Sequence, residues 1–310
     1  MINAYIGITD ERWFATLRGQ PNLDEVNFWL PTGRSFKALQ PGELFLFKLH
    51  SPKHYIVGGG IFCHYSRIPV SMAWEAFGIK NGAESLEELK LKIARHRQGE
   101  NAHQDDFYIG CVILEQPFFL PEEKWIPAPP DWSPSIQSGK RYDLSVEPGL
   151  TILRQLQERT NISPQLIRER PARYGEPTTV LPRLGQGAFR VLVTDAYERH
   201  CAISGEKILP VLDAAHIKSY KEGGEHLITN GVLLRQDIHT LFDKGYLTIT
   251  PEYRVEVSRR LKDEFDNGKE YFRFHGQPIS LPRKPDDRPD RDFLAWHNQY
   301  IYRGWSLRKV

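Results

Sequence analysis

Short apolar runs in the first 120 residues predict β-strands, because they are rich in β-branched and aromatic residues and are bounded by turn residues. The best of them are Phe28–Leu30, Glu43–Leu49, Tyr55–His64 and Phe107–Leu114. Between the last two, apolar positions three and four apart predict helices at Ser71–Phe77 and Ser85–His96. Ser85 and Glu88 have the spacing of a capping box. This pattern indicates an α+β domain with a curved, partly closed sheet.

A proline-rich stretch follows this domain and predicts an extended, irregular crossing. Its prolines are Pro117, Pro121, Pro127, Pro129, Pro130 and Pro134. Leu150–Arg159 is then predicted as a helix, and Pro171–Pro182 as a second linker. We therefore divide the chain into a domain at 1–145, a helical, Arg-rich linker at 146–180, and a C-terminal domain at 181–310.

In the C-terminal domain the pattern changes from helix to hairpin to helix. Gln186–Tyr197 is predicted as a helix and Ala214–Ile217 as a strand. Leu227–Leu234 carries a turn and the second strand. Asp237–Lys244 is predicted as a helix that ends at Gly245.

Polar residues within these elements suggest chemistry. His216 lies in an apolar strand, Asn230-Gly231 follows, and His239 and Asp243 share one helix face. The order His, Asn, His over about 25 residues resembles the HNH nuclease family, and the likeness extends over 189–249. It implies a ββα-metal domain that hydrolyses phosphodiester bonds.

The resemblance implies a role for each residue. His216 is the expected general base, because a neutral imidazole accepts a proton near pH 7. His239 and Asp243 are the expected metal ligands, and Asn230 is expected to pin the hairpin loop and so orient the base. Arg235 and Lys218 are candidates for phosphate binding, although the default interpretation of both is an exposed residue that aids solubility.

One departure from the family pattern concerns the residue before the base. Many members place a metal-ligating carboxylate or His there, whereas this chain has Ala215. Asp213 is kept as a third candidate ligand, but strand alternation predicts that it faces away from His216 unless the strand bulges. Such a site favours Mg²⁺ or Mn²⁺, and its imidazole also tolerates Ni²⁺, Co²⁺ or Zn²⁺.

The N-terminal domain resembles the PUA superfamily, in particular EVE and SRA-type readers of modified bases. The likeness rests on a Pro-Gly-Glu turn, an apolar strand and the glycine-rich run Gly58–Gly60, which either admits DNA closely or bends a strand. Such readers flip a base into an aromatic pocket. The candidates for that pocket are Phe28, Trp29, Tyr65, Trp74, Tyr142 and Asp143, the last as a hydrogen-bond acceptor for a cytosine amino group.

Composition sets the remaining expectations. The net charge of +2 gives no global attraction to polyanions, but residues 154–190 contain seven Arg and no Lys. The three Cys form no CxxC pair, so no four-thiolate zinc site is expected, and Cys201 is expected to be a packing residue. His200 and His226 are expected at the surface. We expect neither a secretion signal nor a membrane span, and hence a cytoplasmic location.

The resemblances together predict a modification-dependent DNA endonuclease of the restriction type. It would read a modified base, modified cytosine above all, in double-stranded DNA, and cut with the HNH site, plausibly as a homodimer. One alternative is an HNH nuclease that reads an unmodified DNA sequence or RNA. The other is a DNA-binding protein without catalysis, for which Ala215 is the only support.

Overall fold

The computed structural model describes residues 3–97, 106–160 and 184–304. The chain forms two compact units, Met1–Val180 and Leu181–Val310. Each combines strands and helices, which confirms the α+β class predicted from the sequence. The predicted linker Pro171–Pro182 lies outside the described residues.

The N-terminal unit is built on a seven-stranded sheet. Its strands are β1 (Asn3–Thr9), β2 (Glu25–Leu30), β3 (Leu44–Leu49), β4 (Tyr55–Pro69), β5 (Tyr108–Phe119), β6 (Ile126–Pro127) and β7 (Gly139–Asp143). The order is β2-β5-β4-β3-β1-β7, with β6 paired to β4. β1 and β3 are parallel, and the other pairs are antiparallel. The predicted proline-rich crossing thus begins inside β5.

In the described residues of this unit, four α-helices accompany the sheet. They are α1 (Glu11–Arg18), α2 (Val70–Phe77), α3 (Leu86–Ala94) and α4 (Gly149–Arg159). Asp10 caps α1 by accepting a 2.5 Å hydrogen bond from the Trp13 amide. Ser85 caps α3 by accepting one from the Glu88 amide at 3.1 Å, as the capping-box spacing predicts.

The central strand β3 is buried on both faces of the sheet, because every residue of its sequence LFLFKL is buried. Phe45 and Phe47 pack in one apolar cluster with Trp13. Leu44 and Leu46 pack in a second cluster that contains Ile152 and Leu156 of α4. The helix predicted within the linker is therefore part of the N-terminal core.

Glycine in β4 allows strands to approach closely. A Cβ atom on Gly58 would lie 2.3 Å from the carbonyl oxygen of Phe118 in the neighbouring strand β5. One on Gly59 would lie 2.6 Å from the carbonyl oxygen of Phe45. The pairing of β4 with β5 also shifts register near Gly59, which bends the strand. Strand packing accounts for these two glycines of the run.

We expect Gly58→Ala to lower the free energy of unfolding of the N-terminal unit by about 1–3 kcal/mol, since the added methyl meets backbone that cannot turn aside. Urea denaturation measures the change. Gly19→Ala is the control, because a Cβ there makes an ordinary 3.6 Å contact with the Ala15 carbonyl oxygen. Equal stability of the two variants would contradict this account.

The C-terminal unit contains the predicted hairpin and helix. Its elements are α5 (Gln186–Ala196), β8 (Leu212–His216), β9 (Gly231–Arg235), α6 (Gln236–Asp243), β10 (Leu247–Ile249), β11 (Val255–Val257), α7 (Arg260–Phe265), α8 (Lys269–Phe272) and α9 (Arg291–Tyr300). β8 and β9 pair antiparallel without a register shift, and α6 begins at the next residue. The order β8-β9-α6 is thus a strand, strand and helix.

No helix in the described part of the chain has the length and apolar character that crossing a bilayer requires.

Candidate active site

His216 is the last residue of β8, and its ring lies on the ring of Phe189 in α5. The two ring centroids are 3.9 Å apart with an interplanar angle of 14°. Across the hairpin, His216 pairs with Gly231, where a Cβ atom would lie only 3.0 Å from the Phe189 ring. The glycine of the Asn-Gly pair therefore leaves room for the ring that supports His216.

His216 is electrostatically suited to accept a proton. Burial, and then the nearby His226 and His239, lower the pKa of His216 to about 4. The imidazole is therefore neutral at pH 7, which is the form that a general base needs.

Asn230 is completely buried and ties together both ends of the loop between β8 and β9. Its Oδ1 accepts a hydrogen bond from the Lys218 amide at 2.9 Å. Its Nδ2 donates to the carbonyl oxygens of Lys218 and Glu225, each at 2.9 Å. The Ile217 amide also donates to the Asn230 carbonyl oxygen at 2.9 Å. These contacts fix the backbone directly after His216 and so hold His216 in place.

His239 lies between two carboxylates. Its Nδ1 is 3.1 Å from Asp213 Oδ2, and its Nε2 is 3.3 Å from Asp243 Oδ2. Strand alternation predicted that Asp213 faces away from His216 and would need a bulge or bend to ligate the metal, and its role as a ligand stays a prediction. β8 is regular, and Asp213 reaches His239 because α6 starts immediately after β9 and packs against β8.

The two carboxylates determine the charge of His239 in the protein without metal. Burial acts to lower the pKa of His239, but the contacts with Asp213 and Asp243 outweigh it and raise the value to about 9. Burial likewise acts to raise the pKa of Asp213, but its hydrogen bond with His239 and the charge of Arg190 lower it. Protonated His239 thus donates one N–H to Asp213 and the other to Asp243.

His239 and one of the two carboxylates together form a pair of ligands that suits a divalent cation. Carboxylate oxygen and imidazole nitrogen are suitable ligands for Mg²⁺, Mn²⁺ or Zn²⁺. Asp213 and Asp243 approach different ring nitrogens, which point in different directions. Consistent with this, the described residues contain no group of three or more His, Cys, Asp or Glu side chains arranged around a metal position. A cation would replace the proton on one nitrogen of His239. It would then be bound by that nitrogen and by the carboxylate next to it.

The two predicted phosphate-binding residues have partners within the domain. The guanidinium of Arg235 forms two hydrogen bonds with Asp237, at 2.6 and 2.7 Å. The Lys218 Nζ lies 5.4 Å from the centre of the Trp296 ring. Phosphate binding by Arg235 would therefore compete with Asp237, whereas Lys218 is held only by a cation–π contact.

His226 was predicted to be a surface residue, and its contact with His216 was not predicted. The side chain is half-buried, and its Nδ1 lies 2.9 Å from Nε2 of His216. No periodic pattern includes it, because the segment between β8 and β9 is irregular. The one feature of the sequence that could have indicated this contact is the position of His226 four residues before Asn230, inside the loop that Asn230 holds.

The N-terminal unit contains a cavity of about 140 Å³, which we call the Trp29 pocket. Its lining residues come from strand ends, from nearby loops and from helix α1: Ile8, Thr9, Asp10, Trp13, Phe28, Trp29, Leu30, Pro31, His50, His96, Gln137 and Ser138. The Trp29 indole donates to the Asn81 carbonyl oxygen at 3.2 Å, which fixes the ring. The His96 ring lies 6.0 Å from it. The pocket therefore offers a fixed aromatic surface and several polar groups.

Of the aromatic and acidic residues predicted to read a base, Phe28 and Trp29 line this pocket, and the others lie elsewhere. The Tyr65 hydroxyl donates to the Arg34 carbonyl oxygen, and Trp74 is part of α2. The Tyr142 hydroxyl donates to Asp131, and Asp143 accepts from Ser145. The structure thus does not bring these six residues together at one site.

Comparison with known proteins identifies part of the C-terminal unit. Residues 201–250 match the family HNH_2, described as HNH endonuclease. No curated protein matches this chain. The crystal structure of a ZmASCH mutant protein from Zymomonas mobilis is 11% identical, covering 49% of this chain and 97% of that one, with a TM-score of 0.32. The modification dependent TagI restriction endonuclease is 13% identical, covering 91% and 77%, with a TM-score of 0.28.

Neither structural likeness defines the fold of this chain, because both TM-scores are below 0.5. The family match does establish that residues 201–250 are an HNH endonuclease domain. The resemblance found in the sequence is confirmed for this segment, which contains His216, Asn230 and His239. A nuclease of this family implies DNA as substrate and, in general, a divalent metal.

We expect His239 to make the stability of the metal-free protein depend on pH. Its pKa is about 9 in the folded state, above its ordinary value of 6.5. The stabilisation is therefore complete below pH 6.5 and is lost as pH rises through 9. Urea unfolding in EDTA should show wild type losing about 2–3 kcal/mol more than His239→Gln between these limits.

His200→Gln is the control, because this half-buried histidine lies outside the carboxylate cluster. It should retain the wild-type dependence on pH. A His239→Gln protein that follows the same curve as wild type would show that the two carboxylates do not hold a proton on His239.

Proposed function

We propose that this protein is a metal-dependent DNA endonuclease that selects its substrate by a modified base, most plausibly a modified cytosine. The observation that carries the proposal is the Trp29 pocket, which lies in the same chain as an HNH endonuclease domain. The N-terminal unit would recognise the base, and the C-terminal unit would cut the phosphodiester backbone.

Cleavage needs a base for water and positive charge near the phosphate. His216 is the base, because it is neutral at pH 7 and its ring is fixed by Phe189. His239 with Asp213 or Asp243 holds the cation. When bound, the cation supplies the positive charge that stabilises the leaving 3′ oxygen. Lys218, which follows the base by two residues, is available to contact a phosphate oxygen.

The Trp29 pocket has the size and chemistry for one flat ring. A cavity of about 150 Å³ in another protein accepts a single benzene molecule, and this pocket has about 140 Å³. Trp29 offers a stacking surface, and Asp10, Thr9 and Ser138 offer polar groups. A carboxylate accepts a hydrogen bond from the amino group of cytosine, so Asp10 can replace Asp143 in the predicted role. A base reaches such a pocket only after it flips out of the duplex.

Double-strand cleavage requires two cuts, and each chain offers one HNH site. Two copies of the chain acting on one duplex are the simplest arrangement, and this supports a homodimer on DNA.

We expect His216→Ala to reduce the rate of DNA cleavage by about 10²–10⁴-fold, the usual contribution of a general base. Plasmid cleavage with Mg²⁺ or Mn²⁺ measures the rate, and a gel-shift assay measures DNA affinity, which should stay within about twofold of wild type. His200→Ala is the matched control. If His216→Ala cleaves like wild type, the base is assigned incorrectly.

We expect cleavage to depend on base modification. The test digests matched duplexes that carry no modification, 5-methylcytosine, 5-hydroxymethylcytosine or N6-methyladenine. A modified-cytosine duplex should be cut at least tenfold faster than the unmodified one, and Trp29→Ala should remove this preference because it removes the stacking surface. Loss of one stacking contact costs about 1–3 kcal/mol per base.

Trp74→Ala is the control for this experiment, since it removes an indole from α2 that does not line the pocket. It should keep the preference. Equal cutting of all four duplexes by wild type would refute the reader, and cutting of an RNA of the same sequence instead would support the alternative substrate.

A further inference from the structure

Four aromatic rings form a continuous row from the core of the C-terminal unit to its surface. Phe189 lies under His216 at 3.9 Å, and His216 contacts His226 with ring centroids 5.0 Å apart. Tyr220 then stacks on His226 at 5.1 Å with an angle of 9°. Phe189 is 1% exposed and Tyr220 is 70% exposed. The base and His226 are thus the two middle rings of this row, and they meet edge to face at an angle of 61°.

The two histidines share a single proton position. Nε2 of His216 and Nδ1 of His226 are 2.9 Å apart, so one nitrogen donates and the other accepts. If His226 donates, the proton of neutral His216 is on Nδ1, and His216 has no lone pair available for water. If His226 accepts, the proton is on Nε2, and Nδ1 of His216 presents its lone pair. Only the second arrangement leaves His216 able to act as a base.

We propose that His226 is a positioning residue for the nuclease reaction, which accepts the hydrogen bond from His216 Nε2 and so holds the base in the tautomer with an unprotonated Nδ1. The proposal rests on the proposed role of His216. When water attacks, its O–H bond breaks, the proton passes to His216 Nδ1, and the oxygen bonds to phosphorus. The bond between phosphorus and the 3′ oxygen breaks, and the 3′ oxygen leaves and takes up a proton from solvent. The Nε2–H bond to His226 then becomes charge-assisted and stronger.

The loop is built to keep His226 in this position. The side-chain Nδ2 of Asn230 donates a hydrogen bond to the carbonyl oxygen of Glu225, the residue directly before His226. Tyr220 covers the ring of His226 on the side toward solvent. Asn230 therefore positions the base in two ways, through the backbone after His216 and through the backbone before His226.

Other charged groups near His216 do not have this role. His239, Asp243 and Asp213 are close enough for their charges to affect its pKa. In the described ranges, however, the hydrogen bond with His226 is the one that the His216 ring makes. The tautomer of His216 therefore depends on this contact.

Two variants of similar size separate the hydrogen bond from packing. His226→Asn keeps an acceptor oxygen close to the position of Nδ1, and His226→Leu fills the space without one. Cleavage of the best DNA substrate from the duplex panel gives kcat and KM for each full-length protein. We expect His226→Leu to lower kcat about 10–100-fold, the usual effect of removing a group that orients a functional residue, with KM within about twofold. His226→Asn should recover most of kcat.

A second readout does not need activity or metal. Wild type, His226→Asn and His226→Leu are labelled with ¹⁵N-histidine, and the side-chain nitrogens are observed by NMR at pH 7.5 in EDTA, with His216→Gln used to assign the signals. Wild type and His226→Asn should show His216 with its proton on Nε2, and His226→Leu should show a mixture of tautomers.

Either of two results would overturn the proposal. One is wild-type His216 carrying its proton on Nδ1, and the other is a His226→Leu protein with wild-type kcat. A wild-type protein that cuts no DNA would refute the nuclease function instead, and the NMR measurement would still decide whether His226 sets the tautomer.

Discussion

The buried amide of Asn230 is the constraint on which the nuclease site depends. Its oxygen and nitrogen meet backbone groups of Lys218 and Glu225, so one side chain closes a loop that has little regular structure. A buried amide is costly unless its polar atoms are paired, and here the pairing partners are the loop itself. The loop conformation and the burial of Asn230 therefore require each other, and the position of His216 follows from both.

The two imidazoles of the site have opposite electrostatic surroundings, which separates their roles. His216 lies on an aromatic ring and beside other histidines, and its pKa falls to about 4. His239 lies between two carboxylates, and its pKa rises to about 9. Pairs of titratable groups whose surroundings move their pKa values apart are typical of acid–base sites. The two side chains are chemically identical. The fold keeps His216 neutral and gives His239 surroundings that favour a bound proton or cation.

The sequence predicted the hairpin and helix well because their signals are local. His216, Asn230 and His239 each lie in or beside an element with a clear hydrophobic period or turn. The contact of Asp213 with His239 was not predicted, because alternation describes one strand and does not include the helix that packs across it. His226 was missed because its contact depends on how an irregular loop returns to the strand.

In the N-terminal unit, too, local signals were predicted and contacts between distant residues were not. β3 to β5 were found from their apolar runs, whereas β1 and α1 were not predicted, although Asp10 is an N-cap residue before an apolar helix face. The reader pocket was predicted from aromatic residue types alone. Aromatic residues are also the usual way to fill a core, and Tyr142 does that here, at 5% exposure. Residue type therefore could not distinguish a pocket wall from packing.

A sheet whose middle strand is covered on both faces has consequences for how its ligand preference can change. Both faces of β3 are occupied by packing, and the Trp29 pocket lies beside the ends of neighbouring strands. Thr9 ends β1, Leu30 ends β2, and His50 directly follows β3, and all three line the Trp29 pocket. Substitutions at these ends leave the interior of the sheet untouched. Substitutions at these three positions can therefore change the pocket while the scaffold is kept, whereas Trp13 and Phe28 belong both to the pocket and to the core.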